Sequence, residues 1–115
     1  MYEINGKTYP CCTSVTMGLI GGKWKTVILY HLMEGPLRYS ELRRSMHTVT
    51  ERTLSLQLKN LEEDGIVARK VYTIKPPLKV EYSLTNLGKT LIPLLIAIAE
   101  WGDQIVAKQG AIPKV

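Results

Sequence analysis

The stretch from position 37 to position 84 constrains the fold most, because the spacing of its apolar residues changes partway along. Up to position 64, apolar residues recur at intervals of three and four, as on the buried side of a helix. Beyond Gly65 the chain is rich in β-branched residues and then alternates apolar with polar, as strands do. The stretch therefore predicts a short helix, a turn, a longer helix and a two-stranded hairpin.

The first of these helices is predicted over residues 39–46, followed by a three-residue turn. Thr50 is the expected N-cap of the second helix, because a threonine hydroxyl can accept a hydrogen bond from the first turn. Thr48 with Glu51 forms a rival capping box. The second helix can therefore start after Thr48 or after Thr50, two residues apart.

The second helix separates an apolar side from a polar one. Leu54, Leu58 and Leu61 make a stripe that should face the core. The polar side is basic and hydroxyl-rich at its N-terminal half, whereas acidic residues occupy positions 62–64, where DNA would repel them. For Leu56 the alternative is packing inside the protein, and for Lys59 a solvated surface. The predicted contacts to bases or phosphates are Thr50, Arg52, Thr53, Ser55, Leu56, Gln57 and Lys59.

The hairpin that follows has strands predicted at residues 66–73 and 79–84, joined by a proline-stiffened loop. Val80, Tyr82 and Leu84 should point inward. A helix-turn-helix followed by such a hairpin is a winged helix-turn-helix, in which basic side chains of the wing and first helix can contact phosphates. The candidates for those contacts are Arg43, Arg44, Arg69, Lys70, Lys75 and Lys79, with a solvated surface as the alternative for the two arginines of the helix.

The segments before this unit predict a loose N-terminal arm and two helices. Residues 1–10 are polar and contain a glycine and a proline, so they are expected to form the arm. A first helix should start at Thr13 or Ser14 and end at the glycine pair 21–22. A second is predicted over residues 23–33, and its expected buried face consists of Trp24, Val27, Ile28 and His31, broadened by Leu32.

The C-terminal segment predicts one long helix, capped by Thr85 or Asn86, bent at Pro93 and ending near Lys108. Its apolar face is wider than one 115-residue core needs, so we expect a homodimer interface there. The interface candidates are Leu91, Leu95, Ile98, Trp101 and Ile105.

Composition excludes several classes of protein. The net charge of +5 suits an anionic partner, although small domains often carry such an excess without one. The sequence has no run of eighteen apolar residues and no secretory signal, which predicts a cytoplasmic protein with no membrane partner. Two adjacent cysteines cannot form a four-cysteine zinc site, and no metal or cofactor is expected.

An enzyme is not expected, because the chain lacks a glycine-rich phosphate loop, an HExxH motif and a G-x-S-x-G elbow. No catalytic residue is assigned. A thiol enzyme that pairs Cys11 with His31 or His47 is the weak alternative within this class. A winged helix that binds protein instead of nucleic acid is a further alternative, which the basic wing disfavours.

Residues 11–108 resemble the HxlR-type, MarR-like transcriptional regulators. The segments IGGKWK, GPLRYSELRR, LEEDGIV and VEYSLT carry the resemblance. It implies an α+β, mostly α fold: a winged helix-turn-helix with a two-stranded β wing and flanking dimerisation helices. The implied organisation is an arm at 1–10, the domain at 11–108 and a tail at 109–115.

The resemblance implies a sequence-specific DNA-binding regulator that acts as a homodimer on a palindromic operator. Family members commonly carry a cysteine followed by proline about ten residues before the glycine pair. Cys11 occupies that place, whereas Cys12 replaces the proline. In several members this cysteine senses electrophiles or oxidants. Three hypotheses stay open: a thiol switch at Cys11 with Cys12, a packed structural cysteine, and a regulator without a cysteine switch that responds to a small-molecule effector or to none.

Overall fold

The computed structural model describes residues 1–110, in which short strands and helices alternate along the chain. The helix-turn-helix and wing predicted from the sequence are present, and the α+β, mostly helical class is confirmed. Residues 111–115 of the predicted tail lie outside the described residues. The elements are β1 (Tyr2–Ile4), β2 (Lys7–Tyr9), α1 (Cys12–Ile20), α2 (Lys25–Leu32), β3 (Leu37–Arg38), α3 (Tyr39–Ser45), α4 (Glu51–Glu63), β4 (Val67–Val71), β5 (Val80–Leu84), α5 (Asn86–Lys89) and α6 (Ile92–Lys108).

The wing contains one strand more than predicted. Strands β4 and β5 pair antiparallel as expected, but β3 pairs with the other edge of β5, with Leu37 opposite Tyr82 and Arg38 opposite Glu81. A two-residue strand is too short to show an alternating pattern, so the sequence contained no signal for it. Its consequence is that the start of α3 is held against the wing.

Helix α4 lies as predicted. Leu54, Leu58 and Leu61 are buried in the core, which confirms the predicted apolar stripe. The Thr50 hydroxyl accepts a hydrogen bond from the backbone N–H of Thr53 at 3.1 Å, so Thr50 is the N-cap and the rival capping box is not used. These contacts fix which side of α4 faces outward.

The prediction of a loose N-terminal arm was wrong, because residues 2–9 form a hairpin. Strands β1 and β2 pair antiparallel, and the turn between them is Asn5-Gly6, with φ of 51° and 78°. Asn-Gly favours such turns because both residues tolerate positive φ. The hairpin packs on α1: a Cβ at Gly18 would come within 2.5 Å of Cε1 of Tyr9.

Helices α1 and α2 differ from the prediction in their bounds and in one buried face. Helix α1 begins at Cys12, with Cys11 as its N-cap, earlier than Thr13 or Ser14. Helix α2 buries Ile28, Leu29 and Leu32. Ile28 and Leu32 confirm part of the predicted face, and Trp24, just before the helix, packs against the core. Val27 is exposed and His31 is half-buried, so the prediction was wrong for these two residues and missed Leu29. Because α4, β5 and α6 all pack on α2, the buried side is set by tertiary contacts as well as by spacing.

The C-terminal segment forms two helices instead of one bent helix. Thr85 caps α5 by accepting a hydrogen bond from the Gly88 N–H at 3.0 Å. Helix α6 begins at Ile92, and Pro93 lies in its first turn. Proline is tolerated there because a first-turn N–H has no intrahelical partner, whereas it would break the interior of a helix. None of the helices within residues 1–110 is long and apolar enough to cross a bilayer.

Candidate nucleic-acid interface

The outward side of α4 presents most of the residues that the sequence predicted to contact DNA. Arg52, Ser55, Leu56 and Lys59 are exposed, and we call these four residues the reading surface. Leu56 is 53% exposed, whereas Leu58 is 1% exposed. The packing alternative for Leu56 is therefore wrong within the chain, and its side chain faces solvent.

The remaining α4 candidates are partly engaged inside the protein. Gln57 and Thr53 are half-buried. The Thr50 hydroxyl donates to Thr53 Oγ1 at 2.9 Å while it caps the helix. These threonine hydroxyls therefore already have hydrogen-bond partners at the start of the helix.

Two residues outside α4 hold it in place, and no sequence pattern predicted either role. The Tyr39 hydroxyl lies 3.2 Å from Ser55 Oγ and donates to the Glu51 carbonyl at 3.5 Å, which joins α3 to the outward side of α4. Arg43 donates from Nη1 to the Val49 carbonyl oxygen at 2.6 Å and is partly buried. Arg43 thus has an intramolecular partner, whereas Arg44 is exposed.

The wing presents its predicted basic side chains to solvent. Arg69, Lys70, Lys75 and Lys79 are all exposed. Lys70 Nζ lies 4.7 Å from the centroid of the Tyr72 ring, a cation–π distance. The wing therefore carries positive charge next to the reading surface, as predicted.

Two tyrosines of the wing, Tyr72 and Tyr82, have raised pKa values. The Tyr72 hydroxyl donates to Glu81 Oε1 at 2.7 Å, and this bond to a carboxylate raises the pKa of Tyr72. Burial raises the pKa of Tyr82, an effect that a hydrogen bond from Arg69 partly opposes. Both phenols therefore act as neutral hydrogen-bonding groups at neutral pH.

A basic groove separates α4 from the wing, and we call it the strand groove. It has a volume of about 380 Å³, and its charged lining residues are Arg38, Arg69, Lys79 and Glu51. A second groove of about 500 Å³ shares Arg38 and Lys79 and also includes Lys75. Arg38 was not predicted as a site residue, because the strand that places it was not predicted either.

The two cysteines are exposed, free thiols at the junction of the N-terminal hairpin and α1. Cys11 Sγ lies 3.4 Å from Ser14 Oγ. This side-chain hydrogen bond, followed by one from the Ser14 backbone, lowers the pKa of the Cys11 thiol. Cys11 is therefore accessible and has a stabilised thiolate, as a reactive thiol requires.

The five predicted dimer residues divide between the core and the surface. Leu95 is 2% exposed in the core of its own chain, and Leu91 packs against that core. Ile98 and Trp101 are exposed, and Ile105 is half-exposed. Leu95 is therefore mainly a core residue, whereas the other side of α6 is open.

Comparison with known proteins identifies the family. The model of the HxlR-like helix-turn-helix family matches residues 19–110. The chain is 50% identical over 93 residues to an uncharacterized HTH-type transcriptional regulator, YybR of Bacillus subtilis (strain 168), a match that covers 81% of this chain and 74% of YybR. A similar regulator from Halalkalibacterium halodurans, BH0655, is 57% identical over 88 residues, which is 76% of this chain and 77% of BH0655.

Solved structures agree with this assignment. The redox regulator HypR in its oxidized form has a TM-score of 0.77 and 48% identity, and the match covers 82% of this chain and 96% of HypR. The reduced form of the transcriptional regulator YodB from B. subtilis has a TM-score of 0.68 and 32% identity, with 84% and 94% of the two chains covered. The family consists of helix-turn-helix transcriptional regulators and not of enzymes. The chain therefore belongs to the HxlR-like helix-turn-helix family and is a DNA-binding transcriptional regulator.

Proposed function

We propose that the protein binds a palindromic operator as a homodimer, with one α4 in each of two successive major grooves. The observation that carries this proposal is the division of α4: its leucine stripe is buried, so the reading surface is held facing outward. Two-fold symmetric helix-turn-helix proteins place their half-sites about 34–36 Å apart, one helical turn of DNA. We expect that spacing here.

Individual side chains of α4 suit different features of DNA. Arg52 can donate two hydrogen bonds to guanine, Gln57 can pair with adenine, and Leu56 can contact a thymine methyl group. Lys59 and the wing lysines provide phosphate contacts, which position the protein without reading sequence. Specificity is therefore assigned to α4 and electrostatic affinity largely to the wing.

A second copy of the chain is the partner that suits the open side of α6. At 100° per residue, Leu94, Ile98, Trp101 and Ile105 lie within about 60° of one another around the helix. Trp101 is 66% exposed. An apolar stripe on a terminal helix favours burial against the same stripe of a two-fold related subunit.

Charge reversal on α4 tests the proposed docking. Arg52→Glu with Lys59→Glu should lower operator affinity at least about a hundredfold, because attraction to phosphate becomes repulsion. Thermal unfolding should not change, since both side chains are exposed. Lys89→Glu, which makes the same kind of change at an exposed residue at the end of α5, is the control and should bind as the parent does. Operator binding that survives the double reversal would contradict the docking.

Salt dependence gives an independent measure. If the dimer neutralises about six phosphates, the logarithm of affinity should fall against the logarithm of salt concentration with a slope of about −5. A slope near zero for the parent protein would contradict a mode of binding based on phosphate contacts.

We further propose that oxidation of Cys11 controls DNA binding. The thiol is exposed and hydrogen-bonded to Ser14, which lowers its pKa and favours the reactive thiolate. One relative is described as a redox regulator solved in an oxidized form, and YodB was solved after diamide treatment. The chain has only Cys11 and Cys12, and neighbouring cysteines rarely form a relaxed disulfide with each other. The expected product is an intersubunit Cys11 disulfide or a mixed disulfide with a small thiol.

Diamide tests this switch, since its N=N group accepts the two electrons and two protons released when two thiols form a disulfide. Treatment should change operator affinity in the parent protein, and dithiothreitol should reverse the change. Cys11→Ser should bind equally with and without diamide. A parent protein whose binding ignores diamide would favour the alternative, a regulator that responds to a small-molecule effector or to none.

The Ser14 contact predicts a pH effect. A lowered pKa means that the Cys11 thiolate persists to lower pH, so Ser14→Ala should move the pH midpoint of Cys11 alkylation upward. Iodoacetamide labelling of a Cys12→Ser background isolates Cys11. An unchanged midpoint would show that Ser14 does not stabilise the thiolate.

A further inference from the structure

The strand groove lies where a docked DNA duplex needs space. One sugar–phosphate strand separates each major groove from the neighbouring minor groove. A protein with a helix in the major groove and a hairpin across that strand must therefore accommodate the strand between the two elements. The strand groove is bounded by α4 on one side and the wing on the other. We propose that this groove holds the sugar–phosphate strand and that Arg38 is its central phosphate contact, an inference that rests on the proposed docking of α4.

The charge of the groove suits a polyanion. Arg38, Arg69 and Lys79 contribute three positive charges, and Glu51 contributes one negative charge. The groove's volume of about 380 Å³ is large enough for a sugar–phosphate unit. The groove therefore attracts a phosphate while leaving room for the attached sugars.

A second groove, of about 500 Å³, lies on the other face of the wing sheet and also includes Lys75. Leu37 pairs with Tyr82 and Arg38 with Glu81, so the Tyr82 side of the sheet lines the first groove and the Glu81 side lines the second. Arg38 and Lys79 are the basic residues that the two grooves share. Arg38 therefore lies at the edge of the sheet, where the two grooves meet.

Arg38 stands on a backbone that is fixed from two directions. In β3 it lies opposite Glu81 of β5, and Lys70 of β4 lies on the other side of Glu81 in the same row. Its backbone N–H donates to Glu41 Oε1 at 2.8 Å, which ties the start of α3. The side chain itself is exposed. Arginine can bind a phosphate with two parallel hydrogen bonds, so the exposed guanidinium carried by this anchored backbone can contact the strand.

Substitution of Arg38 tests the proposal through salt dependence. Arg38→Gln removes the charge but keeps the backbone bond to Glu41, so the unfolding temperature should stay the same. One phosphate contact is lost from each subunit, so the slope of log affinity against log salt should become less steep by about 2 for the dimer. Operator affinity near 0.1 M salt should fall about tenfold. Lys89→Gln, the same charge change at an exposed residue outside both the groove and the α6 stripe, should leave both quantities unchanged.

Neutral backbone linkages locate the contact. Methylphosphonates placed one at a time along the operator should weaken binding of the parent protein at each contacted phosphate, and one of these positions in each half-site, next to the α4 contacts, should be the partner of Arg38. Arg38→Gln should be insensitive at that same position, because the partner of that phosphate is already missing. Sensitivity that persists in Arg38→Gln, or a salt slope equal to that of the parent, would overturn the proposal.

Three further outcomes are distinguishable. If inorganic phosphate protects the parent against thermal unfolding and Arg38→Gln removes that protection without changing the salt slope on DNA, the groove binds a free anion and the proposal is overturned. If the Arg52 and Lys59 reversals abolish operator binding while Arg38→Gln binds with the parent slope, only the role of Arg38 fails. If those reversals leave binding intact, the docking of α4 itself fails.

Discussion

Helices α4 and α6 both leave one side uncovered by their own chain, and the chemistry of those two sides is opposite. Helix α4 buries its leucines and exposes arginine, serine and lysine. Helix α6 buries Leu95 and exposes Ile98 and Trp101. Polar, basic side chains are stable in water and can exchange it for phosphate and base edges. An apolar stripe gains free energy only when another apolar surface covers it.

The difference between the two helices shows that the chemistry of an exposed helix face indicates the kind of partner that it binds. For α4 the expected partner is a polyanion, and binding should weaken as salt rises. For α6 the expected partner is an apolar surface, and association should be less sensitive to salt. Substitutions on each helix can test whether its exposed face binds the partner assigned to it.

The largest effect is expected on the buried side of α4. Leu58→Ala should lower the free energy of unfolding by about 2–5 kcal/mol, because it removes buried methyl groups and leaves a cavity. Leu56→Ala, two residues earlier but exposed, should change stability by less than about 0.5 kcal/mol while weakening operator binding. Urea denaturation and a DNA mobility-shift titration measure the two quantities. Equal destabilisation by both substitutions would contradict the division of α4 into two faces.

The next effect concerns α6. Trp101→Glu should dissociate the dimer and lower operator affinity by about a hundredfold or more, because a monomer loses the gain from binding two half-sites at once. Ala107→Glu, exposed on a different side of the same helix, is the matched control and should stay dimeric. Sedimentation velocity with a parallel operator titration checks both. A Trp101→Glu protein that remains dimeric would remove the assigned interface.

Arg43 and Arg44 provide a neighbouring pair with different roles. Arg43→Met leaves the Val49 carbonyl without its donor and should cost about 1–3 kcal/mol of stability, with the salt slope per dimer unchanged. Arg44→Met should leave stability within about 0.5 kcal/mol. If Arg44 contacts a phosphate, its substitution should make the slope less steep by about 2. The reverse assignment of the two effects would show that Arg43 is the phosphate contact.

The smallest effect is expected at the start of α4. Thr50→Ala removes the cap that accepts the Thr53 N–H and should cost about 1 kcal/mol. Thr50→Ser keeps the hydroxyl and should restore most of that stability. Thermal unfolding monitored by circular dichroism measures the difference. A Thr50→Ala protein as stable as the parent would show that the cap contributes little.

The sequence was most informative where the structure depends on local spacing. The leucine stripe of α4 and its threonine cap involve residues three to seven positions apart, and both predictions are confirmed. Strand β3, the burial of Leu29 in place of Val27 and the Tyr39–Ser55 contact depend on elements far apart in the chain, and no local pattern encodes them. Arg38 was not predicted as a site residue for the same reason, because only strand β3 places this arginine beside the groove.

The N-terminal hairpin and the break before α6 were not predicted, although the local sequence contains a signal for each. Asn5-Gly6 is a hairpin turn sequence, yet the polarity of residues 1–10 suggested a loose arm. Pro93 was expected to bend a helix, whereas a proline equally suits the first turn of a new one. In both cases one residue pattern was compatible with two structures, and packing decided between them.

The contact between Tyr9 and Gly18 has a consequence for the hairpin that leads into Cys11. The Tyr9 ring occupies the space where a side chain at position 18 would begin, and only Pro10 separates Tyr9 from Cys11. One added methyl group at position 18 would force the Tyr9 ring to move from its place on α1. The packing of the hairpin that leads into Cys11 therefore depends on a hydrogen atom seven residues further along the chain, so this packing can change without any substitution near sulfur.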